Sequence, residues 1–201
     1  KIHLIADEIA VGFGRTGTMF AYEQSKITPD IICLSKGITG GYMTLSTILT
    51  TDNIYNAFYD EYTKLSAFLH SHSYTANPIA CATANASLDL FERNNTLIHN
   101  QALSKYILES LSDLINHPNV GDIRQHGMIT AIEMVKNKLK MTPFDWKERR
   151  GLKAYNYGLK HNVLIRPLGN VIYFMPPYII KKKEIDLVTN TIKGAIDFAT
   201  K

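Results

Sequence analysis

With 201 residues, 45% of them hydrophobic, the chain can bury the core of one large domain or two small ones, and no part of it reads as disordered. Its net charge of +4, from 22 basic and 18 acidic residues, is mild; the densest basic runs, 147–150 and 181–183, read as solvated faces, so no nucleic-acid partner is expected. No apolar stretch approaches the roughly 18 to 20 residues that span a bilayer and no secretory leader is seen, so no membrane partner is expected either. Cys33 and Cys81 lie among apolar or small residues, with no second pair to make a metal site or a disulfide framework, which points to a reducing cytoplasm.

The sequence starts at Lys1 and enters an apolar run at once, as a chain cut in mid-domain would. Residues 2–6 and 31–35 predict strands buried on both faces, the kind found in mostly parallel sheets. Each is followed by a polar residue, Asp7 and Lys36. Ligands of open α/β sheets collect outside the carboxyl ends of strands, so the two residues predict one shared crevice. Residues 77–93, with Pro78 near the start and Ala80, Ala82, Ala84 and Ala86 following, predict a closely packed helix, and 97–115 continues at helical spacing. After His117, Pro118 and Asn119 the character changes. Residues 123–134 read as one strand containing Gly127, 146–161 as a helix, 163–165 and 171–174 as a hairpin around Leu168, Gly169 and Asn170, and 183–200 as an amphipathic helix. The expected division is an α/β layer over residues 1–100 and a small α+β domain over 101–201.

A lysine after a buried strand, taken alone, reads as a surface lysine opening a loop. Lys36 has Gly37, Gly40 and Gly41 beside it, which let the backbone approach a bulky ligand and offer bare N–H groups to an anion. In a partly desolvated crevice such an amine sheds its proton more readily, as Schiff-base chemistry with a carbonyl requires. The carbonyl cofactor that fits is pyridoxal 5′-phosphate (PLP), whose ring nitrogen needs an acid beside it before the ring can act as an electron sink. Asp7 is the candidate acid; its competing role is to open a turn ahead of Glu8 and Ile9.

Two blocks, Asp7-Glu8 with Gly12-Phe13-Gly14-Arg15-Thr16-Gly17, and Pro29-Asp30 with Leu34-Ser35-Lys36-Gly37, together resemble the signature of the class III aminotransferases. The resemblance implies PLP-dependent transferase fold type I: the C-terminal part of the large α/β domain, followed by the small α+β domain. It also implies that Asp7 pairs with the pyridine nitrogen and that Lys36 carries the cofactor. A further block, His70-Ser71-His72-Ser73-Tyr74-Thr75-Ala76-Asn77-Pro78, is similar to the family segment whose threonine binds the cofactor phosphate of the neighbouring subunit in a homodimer. Ser73 takes the threonine's place and keeps its hydroxyl, with Thr75 as the alternative. His72 falls beside it on the cofactor side, and Ser71, where the family has glycine, on the substrate side. A metal site at His70 and His72 is not expected: they share a face only in an extended segment, and no carboxylate cluster accompanies them.

Residues 162–178, with Arg166-Pro167-Leu168-Gly169 and Met175-Pro176-Pro177-Tyr178, resemble the biotin-pathway members of the family. These aminate 8-amino-7-oxononanoate, most of them with S-adenosylmethionine as amino donor and some with lysine. The resemblance assigns Arg166 to the substrate carboxylate, a task that suits a planar guanidinium. Tyr173 is expected near the same pocket or in core packing, and Arg15 at the amino donor or as a structural tie of its turn. The alternatives are another class III ω-amino acid aminotransferase and a non-catalytic fragment. The resemblance covers about half of a typical member, so the chain by itself is expected to expose sheet edges and apolar faces and to aggregate or form an unusual oligomer.

Overall fold

The computed structural model describes residues 2–201. They divide into two compact units, one ending at Leu97 and one running from Ile98 to Lys201.

The first unit is built on a three-stranded sheet in the order β1-β2-β3: β1 (Ile5–Asp7) runs parallel to β2 (Ile31–Leu34), and β3 (Thr47–Thr50) antiparallel to it. β1 begins later than the apolar run suggests, and Leu4 ahead of it is tied to the start of β2. Its N–H donates to Asp30 Oδ2 (2.9 Å), and its carbonyl accepts from the N–H groups of Asp30 and Ile31. One face of the sheet is closed, with Leu34 and Ile32 packed among Phe13, Ile38 and Ala84. The other is open: Ile5 is 58% and Ile48 65% exposed. The expectation of strands buried on both faces is therefore corrected. Tyr55, Phe58 and Phe68 border the open face around a cavity of about 710 Å³ without filling it. β3 and the short helix α1 (Asp52–Asn56) were not expected from the sequence pattern. The helix foreseen next is α2 (Pro78–Arg93): Asn77 Oδ1 accepts from the N–H groups of Ile79 (2.9 Å) and Ala80 (3.2 Å), and Pro78 takes the first helical position, where no N–H is needed.

The second unit takes in α3 (Thr96–Leu111) from Ile98 onward, and the helix passes into a 3-10 turn, Ser112–Asn116. The single strand expected over 123–134 is instead a hairpin of β4 (Val120–His126) and β5 (Ile129–Asn137). Gly127, at φ 55°, and Met128 form the two-residue turn between the paired His126 and Ile129. Met128 is fully buried, so the apolar pattern runs through the turn and hides it. A short β6 (Thr142–Pro143) pairs with β5. The helix expected over 146–161 is interrupted: a 3-10 turn, Trp146–Glu148, ends at Arg149 (φ 49°), and α4 (Arg150–Lys160) starts after it. The later hairpin has its second arm where expected, β8 (Val171–Phe174), but its first is displaced to β7 (Arg166–Leu168), with Val163 and Ile165 buried in the core ahead of it. The main sheet is antiparallel in the order β4-β5-β8-β7, which leaves Pro167 on an edge strand, where its missing N–H breaks no interior ladder. α5 (Lys182–Thr200) closes the unit, burying Ile185, Ile192 and Ile196 in one core with Ile107 and Leu111 of α3, Ile132 of β5 and Ile172 of β8.

Candidate active site

Because β1 and β2 are parallel, Asp7, the last residue of β1, and Lys36, two residues beyond β2, lie at the same end of the sheet. Asp7 stands beside Cys33 in the register. Its carboxylate is exposed and accepts from the Ile9 N–H through Oδ1 (3.0 Å). The turn-opening role is thus realised, and it orients the carboxylate while using one oxygen. The next residue, Glu8, was not singled out in the sequence, yet it is 2% exposed and closes the glycine-rich loop. Its two carboxylate oxygens accept from the N–H groups of Tyr22 (2.8 Å) and Ala21 (2.9 Å). Arg15 is half-buried in that loop. The only sequence signal for Glu8 was a second acid directly after a strand.

Lys36 begins a 3-10 turn, Lys36–Thr39, and its side chain is exposed among the described residues, which corrects the expectation of a partly desolvated amine. Gly37 is required by close approach: a Cβ there would come within 2.9 Å of Phe13 Cβ and Cδ2. Gly40 and Gly41 take positive φ, 59° and 85°.

A second cavity, of about 660 Å³, lies between Ser35 with the loop 42–46 and the segment holding His72, Tyr74, Thr75 and Asn77. Of the three residues expected there, His72 lines it, whereas Ser71 and Ser73 are exposed outside its lining. His72 and Thr75 hold their own turn: the His72 N–H donates to Thr75 Oγ1 (3.0 Å), and the Tyr74 N–H to His72 Nδ1 (3.1 Å). The segment is not a strand, and among the described residues no group of three or more His, Cys, Asp and Glu side chains is placed to hold a metal ion.

In the second unit Arg166 of β7 pairs directly with Tyr173 of β8, and Tyr173 with Ala131 of β5. Residues opposite one another share a sheet face, so Arg166 and Tyr173 stand side by side on the face opposite buried Ile132 and Ile172. Arg124 belongs to the same row through Ala131. It is committed to Glu133 (2.8 Å) and Asp122 (2.9 Å), whose carboxylates make its guanidinium still harder to deprotonate.

Within the first unit Asp7 and Lys36 thus follow neighbouring parallel strands, and within the second Arg166 and Tyr173 share one sheet face. Residues 1–196 match the family described as aminotransferase class-III, and the chain belongs to that family. Two relatives carry the name adenosylmethionine-8-amino-7-oxononanoate aminotransferase. One, from Geobacter sulfurreducens, is 48% identical over 99% of this chain and 44% of its own length; the other, from Helicobacter pylori, is 51% identical over 92% and 42%. The crystal structure of the Methanocaldococcus jannaschii protein of that name superposes with a TM-score of 0.89 at 40% identity, over 96% of this chain and 45% of that one. An omega transaminase from Pseudomonas jessenii, solved in complex with PMP, reaches 0.92 at 30% identity, over 99% and 44%. The fold is that of the class III transaminases, and the chain spans less than half the length of these relatives.

Proposed function

We propose that this chain is the cofactor-lysine part of a PLP-dependent aminotransferase that aminates 8-amino-7-oxononanoate in biotin biosynthesis, with S-adenosylmethionine as amino donor. The observation that carries the reading is the placement of Asp7 and Lys36 at the same end of two parallel strands, in a chain whose relatives bear that enzyme's name. The donor set fits the cofactor: Lys36 offers an exposed amine to its aldehyde, and Asp7 an oriented carboxylate to its ring nitrogen. When bound, PLP supplies an electron sink for the charge left on carbon as a proton departs. Asp7 keeps the ring nitrogen protonated. Lys36 would hold the cofactor through its amine and, as the base beside the substrate α carbon, would take and return that carbon's proton. Arg166 anchors the carboxylate of the keto substrate, Tyr173 lies beside it, and Arg15 and Ser71 serve the substrate side. His72 and Ser73 serve the cofactor, Ser73 reaching its phosphate across a homodimer in the cytoplasm.

In the intact protein supplied with PLP and both substrates, Lys36→Ala should abolish transamination. Arg166→Ala should raise the KM for 8-amino-7-oxononanoate at least about tenfold while sparing carboxylate-free amines. Full activity of Lys36→Ala would sink the reading. A second reading, another class III ω-amino acid aminotransferase, is favoured by the likeness to the omega transaminase. Comparing kcat/KM across keto acceptors separates the two.

A further inference from the structure

Lys36 has φ 44°, in the left-handed region, at the first central position of the turn that the Ser35 carbonyl closes by accepting from the Ile38 N–H (3.1 Å). Glycine suits that position, and a side chain there is strained. Such a conformation persists where its surroundings over-determine it, and it clusters where function needs it. The turn is held on both sides of Lys36. On one side Ser35 Oγ donates to the Leu45 carbonyl (2.8 Å); on the other, buried Thr39 donates through Oγ1 to the Met43 carbonyl (2.6 Å). Between them Gly37 is pressed against Phe13, and Ile38 is buried. The two hydroxyls reach the same returning segment, 43–45, so the loop is latched on either side of the lysine.

We propose that Ser35 and Thr39 are positioning residues for Lys36: their latches hold its backbone left-handed and thereby fix where its amine meets the cofactor carbonyl. This rests on the reading of Lys36 as the cofactor lysine. The test is borohydride trapping in the intact protein. The lysine amine and the PLP aldehyde form a C=N bond and release water, and hydride reduces that bond to a stable secondary amine, located by peptide mapping. The rate at Lys36, relative to the other lysines of the same sample and followed across pH, should fall about tenfold in Ser35→Ala and in Thr39→Val. It should recover in Thr39→Ser, which keeps the hydroxyl. Unchanged relative rates in both hydroxyl-free variants overturn the proposal.

Melting temperature supplies a second readout that needs no cofactor. Glycine accepts φ 44°, so Lys36→Gly should melt above Lys36→Ala, and the gap should shrink when Thr39→Val is added. Equal gaps in the two backgrounds also overturn the latch. Absence of trapping at Lys36 in the parent would instead overturn the cofactor reading, while the melting gap still reports on the latch itself.

Discussion

The Arg150 side chain, 13% exposed, grips Glu148 Oε2 through Nε (2.8 Å) and Nη2 (2.5 Å). It also donates to the Ala199 carbonyl near the end of α5 (2.7 Å) and lies 4.6 Å from the centre of the Phe144 ring. A cation near a helix C-terminus, bonded and stacked, is worth more than a surface ion pair. Arg150→Ala should therefore destabilise the protein by about 2 kcal/mol in urea unfolding, and Arg150→Lys should restore only part, since an ammonium lacks the planar fork. The Arg150 bond holds the Glu148 carboxyl below the usual carboxylate range. The folded state thus binds that proton less tightly than the unfolded chain. Its contribution is present above the ordinary carboxylate range and is lost as the pH falls through the lowered folded value. Stability measured from about pH 6 to about pH 3 should accordingly decline less steeply in Arg150→Ala than in the parent. An equal decline would assign the acid sensitivity to other carboxylates.

α2 carries its start signal in the sequence, because Asn77 and Pro78 act through their own backbone neighbours. Asn77→Ala should cost about 1 kcal/mol, whereas Asn77→Asp, which keeps the accepting oxygen, should be close to neutral. Chemical denaturation of the two variants separates a cap from a residue that merely borders the cavity. Elements whose ends depend on distant partners were less legible. The β4–β5 hairpin was hidden because Met128, at its turn, is buried by the tertiary core, so hydrophobicity did not fall where the chain reverses. The break before α4 was hidden because Arg149 adopts φ 49° without being glycine. β3 was missed because its residues, Thr47 to Thr50, are largely exposed and form a strand by pairing with β2.

The two units differ in how much core they own. The second buries Ile107, Leu111, Met128, Ile132, Met134 and Ile172 essentially completely, whereas the buried apolar cluster of the first consists of Phe13, Leu34, Ile38 and Ala84. Native-state hydrogen exchange should find the amides of β5 and β8 protected longest and those of β1 and β3 exchanging early. Ile132→Ala should cost about 2 to 5 kcal/mol and speed exchange in the second unit. Comparable protection in both units would contradict this ranking. The open sheet face, with Ile5 and Ile48 uncovered, should make the 201-residue chain self-associate by itself, an outcome that light scattering across a concentration series would register.

The sequence by itself determined the family, the order of the α/β and α+β parts, and the helix start at Asn77 and Pro78. Those properties reside in residue types at fixed spacing, in strand ends and in helix caps, all of which act locally. Only the tertiary structure decided that Glu8 is a buried latch on the N–H groups of Ala21 and Tyr22. It likewise decided that Tyr173 stands directly beside Arg166 and that Lys36 is held left-handed between Ser35 and Thr39. Each of these depends on strand register or on contacts between segments apart in the chain, and hydrophobic periodicity carries no register.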